Sequence, residues 1–220
     1  MALLSCWGEV TTENEAEAVA ANLKIHPQIN GLLSMLADLL NAWKVEYWID
    51  QGTLLGAHRH GKFIARDSDA DIAIRNQAHF RSLPDLLEAE LPPAYAWERK
   101  GSHCQGYRVW LKDGGYFKGN FEGKEIEWPL VVCDVMLYQF SESSGAYVQQ
   151  YEGFGVDSCF YTEEVVFPLA QIHFEGKSYP CPALVKKYLE IQYGYIGEGA
   201  VWLPETNRWA KGDLGSEVPQ

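Results

Sequence analysis

The side chains best suited to chemistry lie together between positions 52 and 74, in GTLLGAHRHGKFIARDSDADIAI. A glycine-led turn carrying Arg59, Lys62 and Arg66, with His58 and His60 beside them, runs into Asp67, Asp69 and Asp71 and then into an apolar segment. No acidic residue falls between Gly52 and Arg66, although the chain has a formal charge of -12. A basic, anion-binding loop followed by a row of carboxylates is what metal-assisted phosphoryl chemistry requires. The loop can hold phosphate and the carboxylates can hold a divalent cation.

Side chains two apart on a strand share a face. The spacing therefore predicts Asp67, Asp69 and Asp71 on one side, with Ala70, Ile72 and Ile74 turned into a core. Three like charges in line repel one another, and a Mg2+ ion among them removes the conflict. The alternative is an acidic turn solvated by water. Asp134 interrupts VVCDVMLY, a run that reads as a strand buried on both faces. An ionised carboxylate there needs a partner. That partner is either Arg59 or Arg66 in an ion pair, or the metal held by Asp69 and Asp71. Gly52-Thr53 opens a helical turn after a short strand. The exposed N–H groups and positive dipole end there predict a phosphate site, with Gly52 allowing close approach and the Thr53 hydroxyl adding a donor.

The elements that must position these groups follow from periodicity. Thr11 or Thr12 can cap a helix to about Leu23, and residues 26–44 hold a stronger one. In it Ile29, Leu32, Leu33, Leu36, Leu39, Leu40 and Trp43 form one apolar stripe. Strands are expected over 45–50, 70–75, 107–112 and 130–140, and a helix over 82–90 that Pro92-Pro93 ends. A hairpin over 171–179 turns at Glu175-Gly176. A helix then runs between Pro182 and Gly194, and the last 26 residues form a packed tail. Gly114-Gly115 and Gly123 mark turns.

Composition narrows the class. A chain of 220 residues with 47% apolar and 22% charged content suits one soluble globular domain. A pI of 4.9 argues against a nucleic-acid partner, which excess Lys and Arg would have to hold. Five cysteines (Cys6, Cys104, Cys133, Cys159, Cys181) show no ligand spacing, which suits reduced thiols in the cytoplasm. The N-terminus lacks the basic region of a signal peptide, and no run reaches the roughly 20 apolar residues of a membrane span. His79, His103 and His173 are isolated and read as surface or hydrogen-bonded residues, and Lys186-Lys187 as a solvated helix face. Trp97, Tyr107, Trp110, Tyr116, Phe117 and Trp128 read mainly as packing. The alternative is an aromatic pocket for a choline-like cation.

These residues resemble the LicD family, which includes bacterial phosphorylcholine transferases and eukaryotic fukutin-like proteins. The family pattern, approximately GTLLGxxRHxGFIPWDDDID, stands against GTLLGAHRHGKFIARDSDADIA here. VVCDVM, FPLAQIHFEGKSYPCP and LEIQYG match its later segments in order, so the likeness covers about residues 28–195. It divides the chain into an N-terminal helical extension (1–27), a LicD-like domain (28–195) and a C-terminal tail (196–220). Ala65-Arg66 replaces the family's Pro-Trp, which would change what packs over nucleotide or acceptor, and Ser68 replaces its middle acidic residue.

The resemblance implies an α/β (α+β) nucleotidyltransferase-like fold, a mixed sheet flanked by helices. In that fold Asp69 and Asp71 on one strand and Asp134 on a neighbour hold two divalent ions, Mg2+ or Mn2+. By position, Gly52 and Thr53 would meet the nucleotide phosphates. Arg59 would stabilise phosphate charge, with Lys62 and His58 as weaker candidates. Asp67 would either support the ligands or act as the base for an acceptor hydroxyl. The expected activity is metal-dependent transfer of a phosphorylated group, such as phosphocholine or a sugar or polyol phosphate, from a CDP-linked donor to a hydroxyl acceptor (a glycan or small molecule). The alternatives are AMP or CMP transfer to a small molecule or protein, and a non-catalytic nucleotide-binding scaffold.

Overall fold

The computed structural model describes residues 3–5, 8–10, 15–75, 77–100, 106–121, 124–149, 159–203, 206 and 208–212. Expectations on Thr11, Thr12, His103, Cys6, Cys104 and Gly123 lie outside them. A short hairpin, β1 (Leu3–Ser5) and β2 (Gly8–Val10), precedes helix α1 (Glu15–Ala42). Where two helices were expected there is one, passing through Pro27 without a break. Proline costs one backbone bond within the helix. The unbroken stripe Ile25, Ile29, Leu32, Leu33, Leu36 and Leu40, all buried on one face, offsets that loss. The helix ends in a Schellman turn. Lys44 takes φ 58, its N–H donates to the Asn41 carbonyl, and Val45 N–H donates to that of Leu40.

The chain then forms β3 (Tyr47–Ile49), α2 (Gln51–His60), β4 (Ala70–Ile74) and α3 (Gln77–Glu90). Strands β5 (Tyr95–Arg99) and β6 (Gly106–Leu111) pair with each other, as do β7 (Tyr116–Phe121) and β8 (Lys124–Pro129). Next come β9 (Val132–Ser141), β10 (Ala146–Gln149), β11 (Phe160–Tyr161) and α4 (Glu163–Val166). The hairpin β12 (Ala170–Phe174) and β13 (Lys177–Cys181) leads to α5 (Val185–Tyr193), and β14 (Ala200–Leu203) pairs with β15 (Arg208–Lys211).

Seven of these strands make one mixed sheet, in the order β11-β10-β9-β4-β3 with β5 and β6 joined through β9. The central pair, β4 and β9, is parallel, and every residue of β4 is buried. That double-sided burial is why both strands read as nearly continuous apolar runs. Helices α1 and α3 pack on both strands and α2 packs on β4, giving one connected core. No helix among the described residues is long and apolar enough to cross a membrane.

The β12–β13 hairpin turns where expected, with Glu175 at φ 47 and Gly176 at φ 85, the left-handed pair a tight two-residue hairpin turn needs. It also braces the segment leading to the acidic row. Glu175 N–H donates to the Gly61 carbonyl at 2.9 Å, and the Glu175 carboxylate accepts the Phe63 N–H at 3.0 Å.

Candidate active site

The acidic row is not a strand face. β4 begins at Ala70, so Asp71 lies within the strand and Asp69 just before it, while Asp67 belongs to a turn in which its N–H donates to the Ile64 carbonyl. The expectation of three carboxylates on one pleated face is corrected accordingly. Convergence comes instead from the neighbouring strand. Parallel register sets Asp71 opposite Asp134, and oxygens of Asp69, Asp71 and Asp134 all lie within 4.8 Å of one another. Oxygen-only donors at that spacing are what a hard divalent cation takes, so the residues present fit such an ion.

These carboxylates line a cleft of about 300 Å³ together with Gln51, Gly52, Asp67, Lys100, Met136 and Tyr193. Burial, then the repulsion of Asp134, pushes Asp69 up to about 6, with Lys100 and Arg108 acting against the shift. Asp71 is raised well above the ordinary carboxylate range, first by burial and then by Asp69, Asp67, Asp134 and Asp50. Asp67 is raised likewise by burial and by Asp69. The Tyr193 phenol is held up by burial and by the carboxylates around it.

The α2 N-terminus forms one wall. Asp50 precedes the helix with extended backbone and makes no side-chain cap; its carboxylate accepts instead from Tyr138 at 2.6 Å and Tyr188 at 2.9 Å. Burial raises its pKa, with Tyr138 opposing most among its hydrogen bonds. Gln51 takes φ 45 and donates from Nε2 to the Met136 sulfur. Thr53 does not line the cleft. It is fully buried, and its hydroxyl oxygen accepts the Asp71 N–H at 2.9 Å, so it ties α2 to β4. Gly52 does allow a close approach, but to protein: a Cβ there would stand 2.4 Å from Asp67 Oδ2. His26 on α1 steadies the same turn by donating from Nε2 to the Asp67 carbonyl at 2.8 Å.

The cations near the carboxylates are not the ones the sequence singled out. Arg108 grips both oxygens of Asp134, from Nε at 3.0 Å and Nη2 at 3.2 Å, and Lys100 Nζ donates to Oδ2. These replace Arg59 and Arg66 as the ion-pair partners expected for Asp134. Arg59 lies at the other end of α2 and donates to the Ile196 carbonyl at 3.2 Å. His58 and His60 share that last turn and Lys62 follows it, exposed, and none of the four lines the cleft. The negative end of the helix dipole favours cations there. Of the aromatic stretch, Tyr107 packs on Phe80 and Trp97, while Tyr116 and Trp128 are exposed; none of its six members lines the cleft. His79 and His173 lie away from it as well.

A mixed α/β domain whose central parallel strands present an acidic, oxygen-donor cleft is the class that fold and site define. Comparison with known families names it more closely. The family model described as "LicD/FKTN/FKRP, nucleotidyltransferase domain" matches residues 44–184. The chain belongs to the LicD family, and that membership points to a transferase. The match takes in every cleft-lining residue except Tyr193. A curated relative, the uncharacterized protein RP689 of Rickettsia prowazekii (strain Madrid E), is 36% identical over 70 residues. That stretch is 31% of this chain and spans about a quarter of the relative, 26% of its length.

Proposed function

We propose that this chain is a metal-dependent phosphotransferase of nucleotidyltransferase-like fold, moving a phosphorylated group such as phosphocholine from a CDP-linked donor to a hydroxyl acceptor. The observation that carries the reading is the convergence of Asp69, Asp71 and Asp134 within 4.8 Å beside the N-terminus of α2. Those three side chains would hold Mg2+ or Mn2+. When bound, such ions offset charge on the attacking and leaving oxygens of an in-line displacement.

The chain's own groups divide the remaining work. The N-terminal end of α2, with Gly52 on the cleft wall, presents the positive end of the helix dipole to the donor phosphates, while the Gln51 N–H is already held by the Asp50 carboxylate. Asp67 lines the same cleft. It stands outside the trio that would hold the ions, which leaves it as the cleft carboxylate for proton removal from the acceptor hydroxyl. Gln51, Met136 and Tyr193 complete the walls that orient donor and acceptor.

The test is phosphorus NMR of the protein with a panel of CDP-linked and UDP-linked donors, hydroxyl acceptors and Mg2+ or Mn2+. Release of CMP only when metal is present supports the reading, and Asp69→Asn with unchanged turnover overturns it. A nucleotide left on the acceptor would establish nucleotidyl transfer instead. Metal-independent nucleotide binding with no turnover across the panel would establish a scaffold.

A further inference from the structure

Four carboxylates line the cleft, Asp67, Asp69, Asp71 and Asp134, and among its described lining residues Lys100 is the one cation. A nucleoside diphosphate entering beside α2 brings more negative charge. Divalent cations meet part of it, and the rest calls for a positively charged hydrogen-bond donor. Arg59, His58 and Lys62, at the far end of α2, do not line this space.

Lys100 and Arg108 both reach Asp134, but they are held differently. Arg108 stands opposite Asp134 in the β6–β9 register and grips both oxygens with its planar fork. Lys100 follows the last residue of β5 and donates to Oδ2, an oxygen that already accepts from Arg108 Nη2. Its ammonium rides on a flexible stem with three rotatable donors. Asp134 therefore keeps two charge-assisted bonds if Lys100 departs.

We propose that Lys100 is the donor-phosphate contact of the cleft, moving from Asp134 to a nonbridging phosphate oxygen when a nucleoside diphosphate and a divalent cation bind, while Arg108 remains as the positioning residue of Asp134. This rests on the transferase reading above and names the side chain that reading lacks. The exchange leaves no charge stranded. Asp134 would keep both bonds from Arg108 and could serve with Asp69 and Asp71 to hold a divalent cation, and the ammonium finds an anionic partner in the phosphate.

The experiment is calorimetric titration of the full chain, first with Mn2+ alone and then with CDP in saturating Mn2+, with UDP and GDP alongside. Wild type, Lys100→Met and Lys100→Arg are compared, with thermal melts of each. Lys100→Met should bind CDP about tenfold or more weakly, bind Mn2+ alone as tightly as wild type or more tightly, and fold normally because Arg108 still holds Asp134. Lys100→Arg should keep most of the CDP affinity. If the methionine variant melts early, Lys100→Gln carries the same comparison. Unchanged CDP affinity in the methionine variant would overturn the assignment. So would parallel loss of Mn2+ and CDP, which would make Lys100 a support of the carboxylate cluster. A wild type that binds Mn2+ but no nucleoside diphosphate would instead defeat the donor reading itself.

Discussion

Arg108 and Asp134 stand directly opposite each other across β6 and β9, and the guanidinium holds both carboxylate oxygens, at 3.0 and 3.2 Å. The same aspartate faces Asp71 on its other neighbour, β4. Asp134 is thus the meeting point of three strands, and Arg108 sets the direction in which its carboxylate can present an oxygen to the cleft.

Arg108→Met should cost about 1–3 kcal/mol of stability, because a buried carboxylate loses two charge-assisted bonds and keeps only Lys100. Arg108→Lys should recover little of it, since a point charge cannot fork across two oxygens. Urea unfolding of the three proteins checks the ranking. A lysine variant as stable as wild type would show that charge alone, not the bidentate geometry, holds Asp134.

Gly52→Ala tests the other wall. Gly52 lies in the first turn of α2, where alanine is intrinsically the better helix former. Its Cβ would nevertheless come within 2.4 Å of Asp67 Oδ2, so the turn bearing Asp67 must shift. We expect destabilisation of about 1–3 kcal/mol. Most of that loss should disappear in the Gly52→Ala, Asp67→Ala double variant, giving a clear coupling energy in a double-mutant cycle. Simple additivity would place the cost of Gly52→Ala elsewhere.

The apolar stripe of α1, the buried character of β9 and the turn at Glu175-Gly176 were readable from residue order, because each is a local pattern that its own element expresses. The partners of Asp134 were not. Lys100 and Arg108 reach it across 34 and 26 positions of chain, a pairing set by strand register that single-sequence periodicity does not encode. Arg108 did sit inside the strand expected over 107–112, and a charge in such a strand was the available signal. Arg59 misled for a related reason. Its nearness to the acidic row in sequence ignores that the ten-residue α2 separates its own two ends by about 15 Å. Asp67 read as strand because alternation alone cannot show where a turn ends and a strand begins.

Carboxylates with raised pKa make the metal-free protein pH-sensitive in a defined direction. Asp69 titrates near 6 in the fold against an ordinary value of 3.8, and Asp67 and Asp71 are shifted the same way. Between those values the folded chain binds more protons than the unfolded one, so this contribution is full below about pH 4 and is lost as pH rises through about 6 and beyond. With chelator present, the melting temperature should carry a component that falls across this range, and Asp69→Asn should flatten it. Mg2+ should raise the melting temperature more at about pH 8 than at about pH 5, because at low pH it competes with protons. Equal stabilisation by Mg2+ at both pH values would sever the link between these carboxylates and the ion.

The buried network around Asp50 predicts a ranking between two tyrosines. Tyr138 and Tyr188 both donate to the fully buried Asp50, but Tyr188 also accepts the indole N–H of Trp48 at 3.3 Å. Tyr138→Phe removes one bond to the carboxyl group, a loss of about 1–3 kcal/mol. Tyr188→Phe removes a comparable bond and also leaves the Trp48 N–H without its partner in a site closed to water, so it should cost about 1 kcal/mol more. Because Asp50 N–H donates to the Asp71 carbonyl, slackening of this network should reach the carboxylate cluster as weaker Mn2+ binding in both variants. Urea midpoints measure the stability ranking and Mn2+ titration measures the transmitted effect. Tyr138→Phe proving the more damaging of the two would show that the short 2.6 Å bond to Asp50, rather than the Trp48–Tyr188–Asp50 relay, holds the network together.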